Sequence, residues 1–393
     1  MPDSPVSDTV ELADAIRTAA AEEGFVACSI APAVSSEGFS ELVRWIDAGY
    51  PAEMDYFANR IDAYRHPEGV LPGARSVVVL AWPYSACDSE PGDNSDAVFG
   101  KVARYTWQAT DYHDVIHPKL KRIRRMIQAH CPAANARGIV DTAPLMEREV
   151  AQLAGLGWRG KNTLLLNRTL GSYFFLACVL VDVELPADLP HESDHCGTCT
   201  ACLDACPTDA FVGPHVLDAS RCISYLTIES REMIPEPLRE GIGDWVFGCD
   251  VCQEVCPWNR KPTRRAMADD AGEQSDWLLS PATPRGLLEL ASLFELDEDA
   301  FRERFRKSPM WRTRRRGLLR NAAIVIGNVG THEQIPSLVL GLRDPEPIVR
   351  ASCVWAARKM IERVATDDNI IQNELARLDR EELDPLVREE LER

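Results

Sequence analysis

Eight of the thirteen cysteines fall between His195 and Asn259, and their spacing restricts what this 393-residue chain can fold into more than any other feature. The segment opens Cys196-x2-Cys199-x2-Cys202-x3-Cys206-Pro207. Four thiols at these intervals, closed by proline, form a run that wraps cubane iron–sulfur clusters: the first three thiolates hold one cluster and the fourth reaches across to another. A second ligand set is therefore required. Cys222, standing alone, and Cys249-x2-Cys252-x3-Cys256-Pro257 supply it. The pattern assigns Cys196, Cys199, Cys202 and Cys256 to one [4Fe-4S] cluster and Cys206, Cys222, Cys249 and Cys252 to the other. Thiolates suit iron because both are soft, and short loops leave N–H groups aimed at sulfur. Structural zinc is typically held by two spaced cysteine pairs rather than a tight run of four. Disulfides belong to oxidising compartments, and nothing marks this chain as secreted.

A chain of this length exceeds one compact core, so two or three domains are expected. Apolar residues make up 45%, an ordinary share for a soluble protein. No apolar run approaches the roughly 18 residues of a membrane span; the longest, Tyr173 to Leu185, is broken by Asp182 and Glu184 and reads as a buried strand. Met1 to Val10 carries acids and no Lys or Arg, unlike a secretory or twin-arginine signal. A cytoplasmic, monomeric protein with no membrane partner is expected, with Cys28, Cys87, Cys131, Cys178 and Cys353 as buried free thiols.

The net charge of −18 argues against general nucleic-acid binding. Local patches argue the other way. Nine basic residues and one acid, Glu303, lie between Arg302 and Arg320, and Arg260, Lys261, Arg264 and Arg265 follow the cysteine segment. Trp258, Phe305 and Trp311 are interleaved with them. A polyanion with exposed bases would use both kinds of residue.

Before the cysteines, spacing predicts helices over Ser7–Glu23, Phe39–Ala48, Asp114–Ala129 and Met146–Leu153, the third with Lys119, Lys121, Arg122, Arg124 and Arg125 outward. Strands are predicted over Phe25–Ala31, Ser76–Ala81, Val102–Thr106, Gly138–Val140 and Leu164–Leu166, with a surface loop over Cys87–Ala97. Asp141 stands at the end of a buried strand before a proline turn, where sites are commonly built, although a turn acid is the plainer reading. Gly155-x-Gly157-x2-Gly160-Lys161-Asn162-Thr163 is a loop whose N–H groups could approach a ligand, but not a Walker A loop. After the cysteines come an acidic loop, Met267–Ser280, helices Arg285–Phe294 and Glu298–Phe305, and a repeat of 30 residues relating Arg320–Gly327 to Arg350–Ala357. Two copies are too few to stand alone.

Taken in order, Met54-x-Tyr56-x3-Arg60, Asp111-Tyr112-His113, Asp141-Thr142-Ala143-Pro144-Leu145, the glycine loop, the split cysteine motif through Trp258-Asn259 and the trailing helical pair resemble the epoxyqueuosine reductase family from about residue 7 to about residue 360. One departure is Thr106-Trp107-Gln108-Ala109-Thr110, where the family usually has a glycine. The resemblance implies an α+β fold in three parts: a cobalamin-binding catalytic α/β sandwich over 1–190, a ferredoxin-like double-cluster domain over 191–265, and HEAT-like helices over 266–393. It implies reduction of epoxyqueuosine to queuosine at the wobble position of tRNA, the anticodon stem-loop being the substrate. It makes Asp141 the proton donor, a task partial burial would favour. Arg60 becomes a cobalamin contact, and Lys161, Asn162 and Thr163 lie against the corrin or its tail.

That chemistry consumes two electrons and two protons and releases water. No side chain supplies such electrons, whereas clusters reach potentials of about −700 mV and reduced cobalt can attack a strained ring carbon. A flavodoxin or ferredoxin would feed the clusters. Two other readings share parts of the pattern. A reductive dehalogenase also joins cobalamin to two cubanes but is normally exported and lacks the helical tail; a non-catalytic electron carrier would leave Asp141 and the glycine loop without a purpose.

Overall fold

The run from Ser76 to Pro83 is apolar at nearly every position, so it needs cover on both faces rather than one. The computed structural model, which describes residues 5–84, 98–108, 110–260, 286–364 and 369–393, gives it that cover. Ser76–Pro83 lies inside a four-stranded antiparallel sheet in the order Ala27–Pro32, Ser76–Pro83, Phe174–Val181, Ala136–Ile139. Val78, Leu80 and Trp82 point to one face, where the helices Pro5–Glu22 and Tyr112–His130 pack with Leu12, Ile16, Ile116 and Leu120. Val77, Val79 and Ala81 point to the other, against Val150 and Ala151 of the helix Glu147–Leu153.

A third core joins the remaining parts. The short strand Phe99–Val102 leaves the first domain to pair in parallel with Trp245–Phe247 and antiparallel with Leu287–Glu289. Around that small sheet one apolar cluster runs from Val102 through Ile223, Phe247 and Leu288 to Val354 and Val387. The helices Arg314–Val329 and Pro347–Val364 contain the two copies of the sequence repeat and pack against each other in this core. The cysteine segment and the helical tail thus share one interior.

Three expectations change. The strand expected at Val102–Thr106 lies earlier, at Phe99–Val102, with a single 3-10 turn over Arg104–Thr106. The helix expected at Arg285–Phe294 is the strand Leu287–Glu289 followed by a 3-10 turn over Ala291–Glu295. Its leucines satisfy either period over so short a run, and the partner strand decides between them. Lys119 faces inward: its Nζ lies 4.4 Å from the Trp82 ring centroid and donates to the Glu23 carbonyl at 2.9 Å. The acidic segments 87–97 and 267–280, and Lys261, Arg264 and Arg265, lie outside the described residues. Among the described residues no helix is long and apolar enough to cross a membrane.

Candidate functional site

Two one-turn helices, Ala201–Asp204 and Val251–Glu254, pack together and bring the two halves of the cysteine motif face to face. The thiols gather in two fours. Burial raises the Cys202 thiol above its ordinary range, and Cys256, Cys196 and Cys199 beside it raise it further. Burial likewise raises Cys249, with Cys222 and Cys206 adding to the effect, and Cys252 responds to burial, then to Cys249 and Cys222. Cys202 thus neighbours Cys196, Cys199 and Cys256, and Cys249 neighbours Cys206 and Cys222. Cys252 also feels Cys202, so the quartets are neighbours. Main-chain N–H groups point at the sulfurs: Ala210 donates to Cys206 Sγ at 3.3 Å, Val251 to Cys249, and Trp258 and Asn259 to Cys256. Such donors stabilise thiolate and shift cluster potential. Among the described residues no three His, Cys, Asp or Glu side chains are arranged to hold a single metal ion.

The rest of the motif locks this segment to the sheet domain. Asn259 Oδ1 accepts the Ser172 N–H at 2.7 Å, its amide donates to Ser172 Oγ at 2.9 Å, and Ser172 Oγ donates to Gln253 Oε1 at 2.8 Å. Gln253 in turn donates to Asp250, whose other oxygen takes the Arg104 N–H at 2.7 Å. Every member is buried or nearly so, and such networks fix one arrangement when fully satisfied.

Asp141 follows the strand Ala136–Ile139 in a backbone conformation with φ +58°, uncommon for a residue with a side chain. Its carboxylate is exposed rather than partly buried, because the chain turns outward at the sheet end. Tyr112, from the first turn of Tyr112–His130, donates its hydroxyl to Asp141 Oδ2 at 2.9 Å. Burial, then the charge of Asp141, pushes that phenol well above its usual range, so it remains a donor. Arg60 Nη1 reaches the Thr142 carbonyl at 3.5 Å, which places Arg60 on the same turn. Behind it lies Glu147, whose carboxyl is raised to about 8 by burial first and then by the Asp141 charge.

The glycine loop packs closely against its own chain. A side chain at Gly157 would strike the Leu166 carbonyl, and one at Gly160 would meet Asn162 and Leu166. Gly157 therefore admits the chain's own backbone, and Gly160 admits two of its side chains. Lys161 Nζ donates to the carbonyls of Gly197 at 2.6 Å and Cys199 at 2.9 Å, and Asn162 Nδ2 to that of Cys252 at 3.3 Å. Thr163 follows with φ +67°. The loop grips both thiol loops at once.

The arginine run divides in two. Arg315 pairs with Asp344 inside the tail, and Arg320 is buried, donating to the carbonyls of Leu226, Ser230 and Glu232. Arg314 and Arg316 are exposed. With Arg312 they lie near enough to Arg231 to lower its proton affinity, after the larger effect of burial. Arg312 pairs with Glu229 at 2.8 Å and feels Asp141 and Tyr56, so this basic group borders the acid. Sequence reasoning singled out the run but not which members turn inward, and it missed Arg231 and Glu147.

Two thiol quartets locked onto an α+β domain that presents an acid are the parts of an iron–sulfur oxidoreductase. Residues 195–259 match the 4Fe-4S double cluster binding domain, and residues 65–142 match the family described as epoxyqueuosine reductase QueG, DUF1730. Curated epoxyqueuosine reductases from Pseudomonas aeruginosa and Escherichia coli are 41% and 38% identical over 90% and 91% of this chain, which covers 95% and 91% of their length. A crystal structure of epoxyqueuosine reductase with an epoxyqueuosine-modified tRNA-Tyr stem loop superposes with a TM-score of 0.86 at 29% identity, covering 97% of both chains. One from Bacillus subtilis, with its catalytic aspartate loop swung out of the active site, gives 0.85 at 28%, again with 97% of both chains covered. The chain belongs to the epoxyqueuosine reductase family.

Proposed function

We propose that this protein reduces epoxyqueuosine to queuosine in the anticodon loop of tRNA. One observation carries the reading beyond the family match: the acid at Asp141, the basic group at Arg312 and the second thiol quartet are gathered about one aromatic wall. Tyr105 stacks edge-on to Tyr112 and Phe175 and feels the charges of both Asp141 and Asp250, so the acid and the second quartet flank the same rings. Tyr84 and Tyr173 continue the wall to Cys252. The Tyr173 hydroxyl is buried with no partner among the described residues. A flat macrocycle edged with amides suits such a surface, which offers rings for its face and a free donor for its rim. Bound cobalamin would supply, with the clusters, the low-potential electron pair that the epoxide carbon needs.

The chain's own residues do the rest. Cys196, Cys199, Cys202 and Cys256 hold one [4Fe-4S] cluster, and Cys206, Cys222, Cys249 and Cys252 the other. Arg60 steadies the Asp141 turn at the corrin edge, and Lys161, Asn162 and Thr163 join that edge to the cluster loops. Asp141 protonates the departing oxygen, with Tyr112 orienting its carboxyl. Arg231, Arg312, Arg314 and Arg316 take the RNA backbone, and Tyr56, 42% exposed and beside Asp141, offers a ring to a displaced base. The parts read as a cobalamin domain over 1–190, a ferredoxin-like domain over 191–265 and a HEAT-like pair beyond, in a cytoplasmic monomer fed by flavodoxin or ferredoxin.

The test is incubation of cluster-loaded protein with reductant, cobalamin and tRNA carrying the epoxide, followed by nucleoside digestion and mass spectrometry. Queuosine should accumulate only when all components are present. Product without cobalamin, or none with it, refutes the proposal.

A further inference from the structure

Two adjacent residues of the glycine loop reach different cysteine loops with different chemistry. Lys161 sends its ammonium to the loop of the first quartet, donating to the carbonyls of Gly197 at 2.6 Å and Cys199 at 2.9 Å. Asn162 sends a neutral amide to the loop of the second, donating to the Cys252 carbonyl at 3.3 Å. The lysine is anchored from behind. His215 donates its N–H to the Lys161 carbonyl at 3.0 Å and its Nδ1–H to the Gly160 carbonyl at 3.0 Å.

Peptide geometry decides what the ammonium does to its loop. In a planar trans peptide the C=O and the following N–H point in opposite directions, so carbonyls drawn to Lys161 turn the N–H groups of Thr198 and Thr200 away from it. Gly197, between the first two ligands, is left-handed at φ +49°, and successive N–H groups about such a residue form a concavity that accepts an anion. The acids of the loop are spent locally: Asp194 accepts the Cys196 N–H at 2.8 Å, and Asp204 the Thr200 hydroxyl at 2.7 Å. Lys161 is thus a cation bonded to the ligand loop itself. A cubane gains one negative charge when it is reduced, so a fixed positive charge beside it favours the reduced form.

We propose that Lys161 is the positioning residue of the first cluster: it holds the Cys196–Cys199 loop in place, and its charge raises the potential of that cluster and not of the second. Among the eight thiols Cys199 is the exposed one, so the tuned cluster is the one that faces an external electron donor. The role rests on the reading of the eight thiols as two [4Fe-4S] clusters.

Redox titration of the cluster-loaded protein, without cobalamin or tRNA and followed by electron paramagnetic resonance, tests it. Cys199→Ser alters one ligand of the first cluster and so marks its signal. Lys161→Met should lower the midpoint of that signal by about 59 mV, a ten-fold change in the ratio of reduced to oxidised cluster for one electron, and leave the second where it is. Lys161→Gln keeps a donor without the charge and should fall by the same amount, whereas Lys161→Arg keeps the charge and should stay close to the wild type. An unmoved midpoint in the glutamine variant, or equal shifts of both clusters, overturns the assignment. A wild type without cubane signals refutes the cluster reading and this role with it; cubane signals with an unmoved midpoint refute the role alone. Should methionine cost the protein its first cluster, the glutamine and arginine variants are read by the same outcomes.

Discussion

The Tyr112 ring lies 4.2 Å from that of Phe175 and 4.1 Å from that of His113, so its hydroxyl has one direction to point, and Asp141 Oδ2 is there. Tyr112→Phe keeps the stacking and removes the donor alone. It is expected to lower kcat roughly ten- to hundred-fold, the worth of a hydrogen bond to a charged group, with iron content and tRNA affinity unchanged; a wild-type kcat would take Tyr112 out of the mechanism. Glu147 gives a second outcome, in stability. Its folded value of about 8 lies above the ordinary 4.5, so the folded protein keeps a proton that the unfolded chain has released. That contribution is full below about 4.5 and is lost as pH rises through about 8. Glu147→Gln removes the dependence, so thermal melts should show the variant gaining on the wild type between about pH 5 and 9; parallel curves would contradict the burial. Asp141 stood out in the sequence as a carboxylate between a buried strand and a proline turn, but a turn acid was the plainer reading there, and only the family resemblance singled it out. Glu147 did not stand out, since Met146-Glu147-Arg148-Glu149 does not say which glutamate turns inward, and Glu149 instead caps the N–H groups of Glu37 and Gly38.

The helix Arg314–Val329 begins with three arginines that read alike in sequence and differ entirely in place. Arg315 and Asp344 are 7% and 4% exposed at their side chains, while Arg314 is free to lie over the Trp311 ring. Removing one partner of a buried pair leaves the other charge uncompensated, at about 3–5 kcal/mol. Arg315→Ala should therefore lower stability by that amount in denaturant unfolding, and Arg314→Ala by less than about 0.5 kcal/mol. Equal effects would mean the helix is rotated from the orientation described. The neighbouring helices add an acid-sensitive pin: Arg343 and Arg377 hold the Glu374 carboxyl down at about 2, so its contribution is full above about 4.5 and is lost as pH falls toward 2. What sequence pattern conveyed at this scale was the long elements, whose periods run for many residues. It failed at Leu287–Glu289, a strand only because Phe99–Val102 lies beside it. It did not convey that Gly157 and Gly160 make their close approach to Leu166.

Across the whole molecule, charge and packing have to be reconciled with an RNA substrate. At −18 the chain repels a polyanion on average, so binding must come from a local field strong enough to outweigh it. The interior explains how that field is placed. Arg320 and Asn321 donate to carbonyls of Leu226, Thr227, Ser230 and Val246, which fastens the tail helix to the cluster segment through a shared core. The same anchoring sets Arg312, Arg314 and Arg316 beside Arg231 at the rim where Asp141 is exposed. The tail thus serves less as a separate arm than as the wall that carries positive charge to the acid. If so, the double variant Arg314→Ala/Arg316→Ala should leave both clusters and the fold intact, weaken binding of the tRNA stem loop, and make the slope of log K against log salt shallower by roughly 1–2, as fewer counterions are released. Arg124→Ala/Arg125→Ala, on the helix Tyr112–His130, removes the same charge elsewhere and should leave the slope unchanged. A slope altered equally by both pairs would mean that the molecule's overall charge, and not this rim, governs RNA binding.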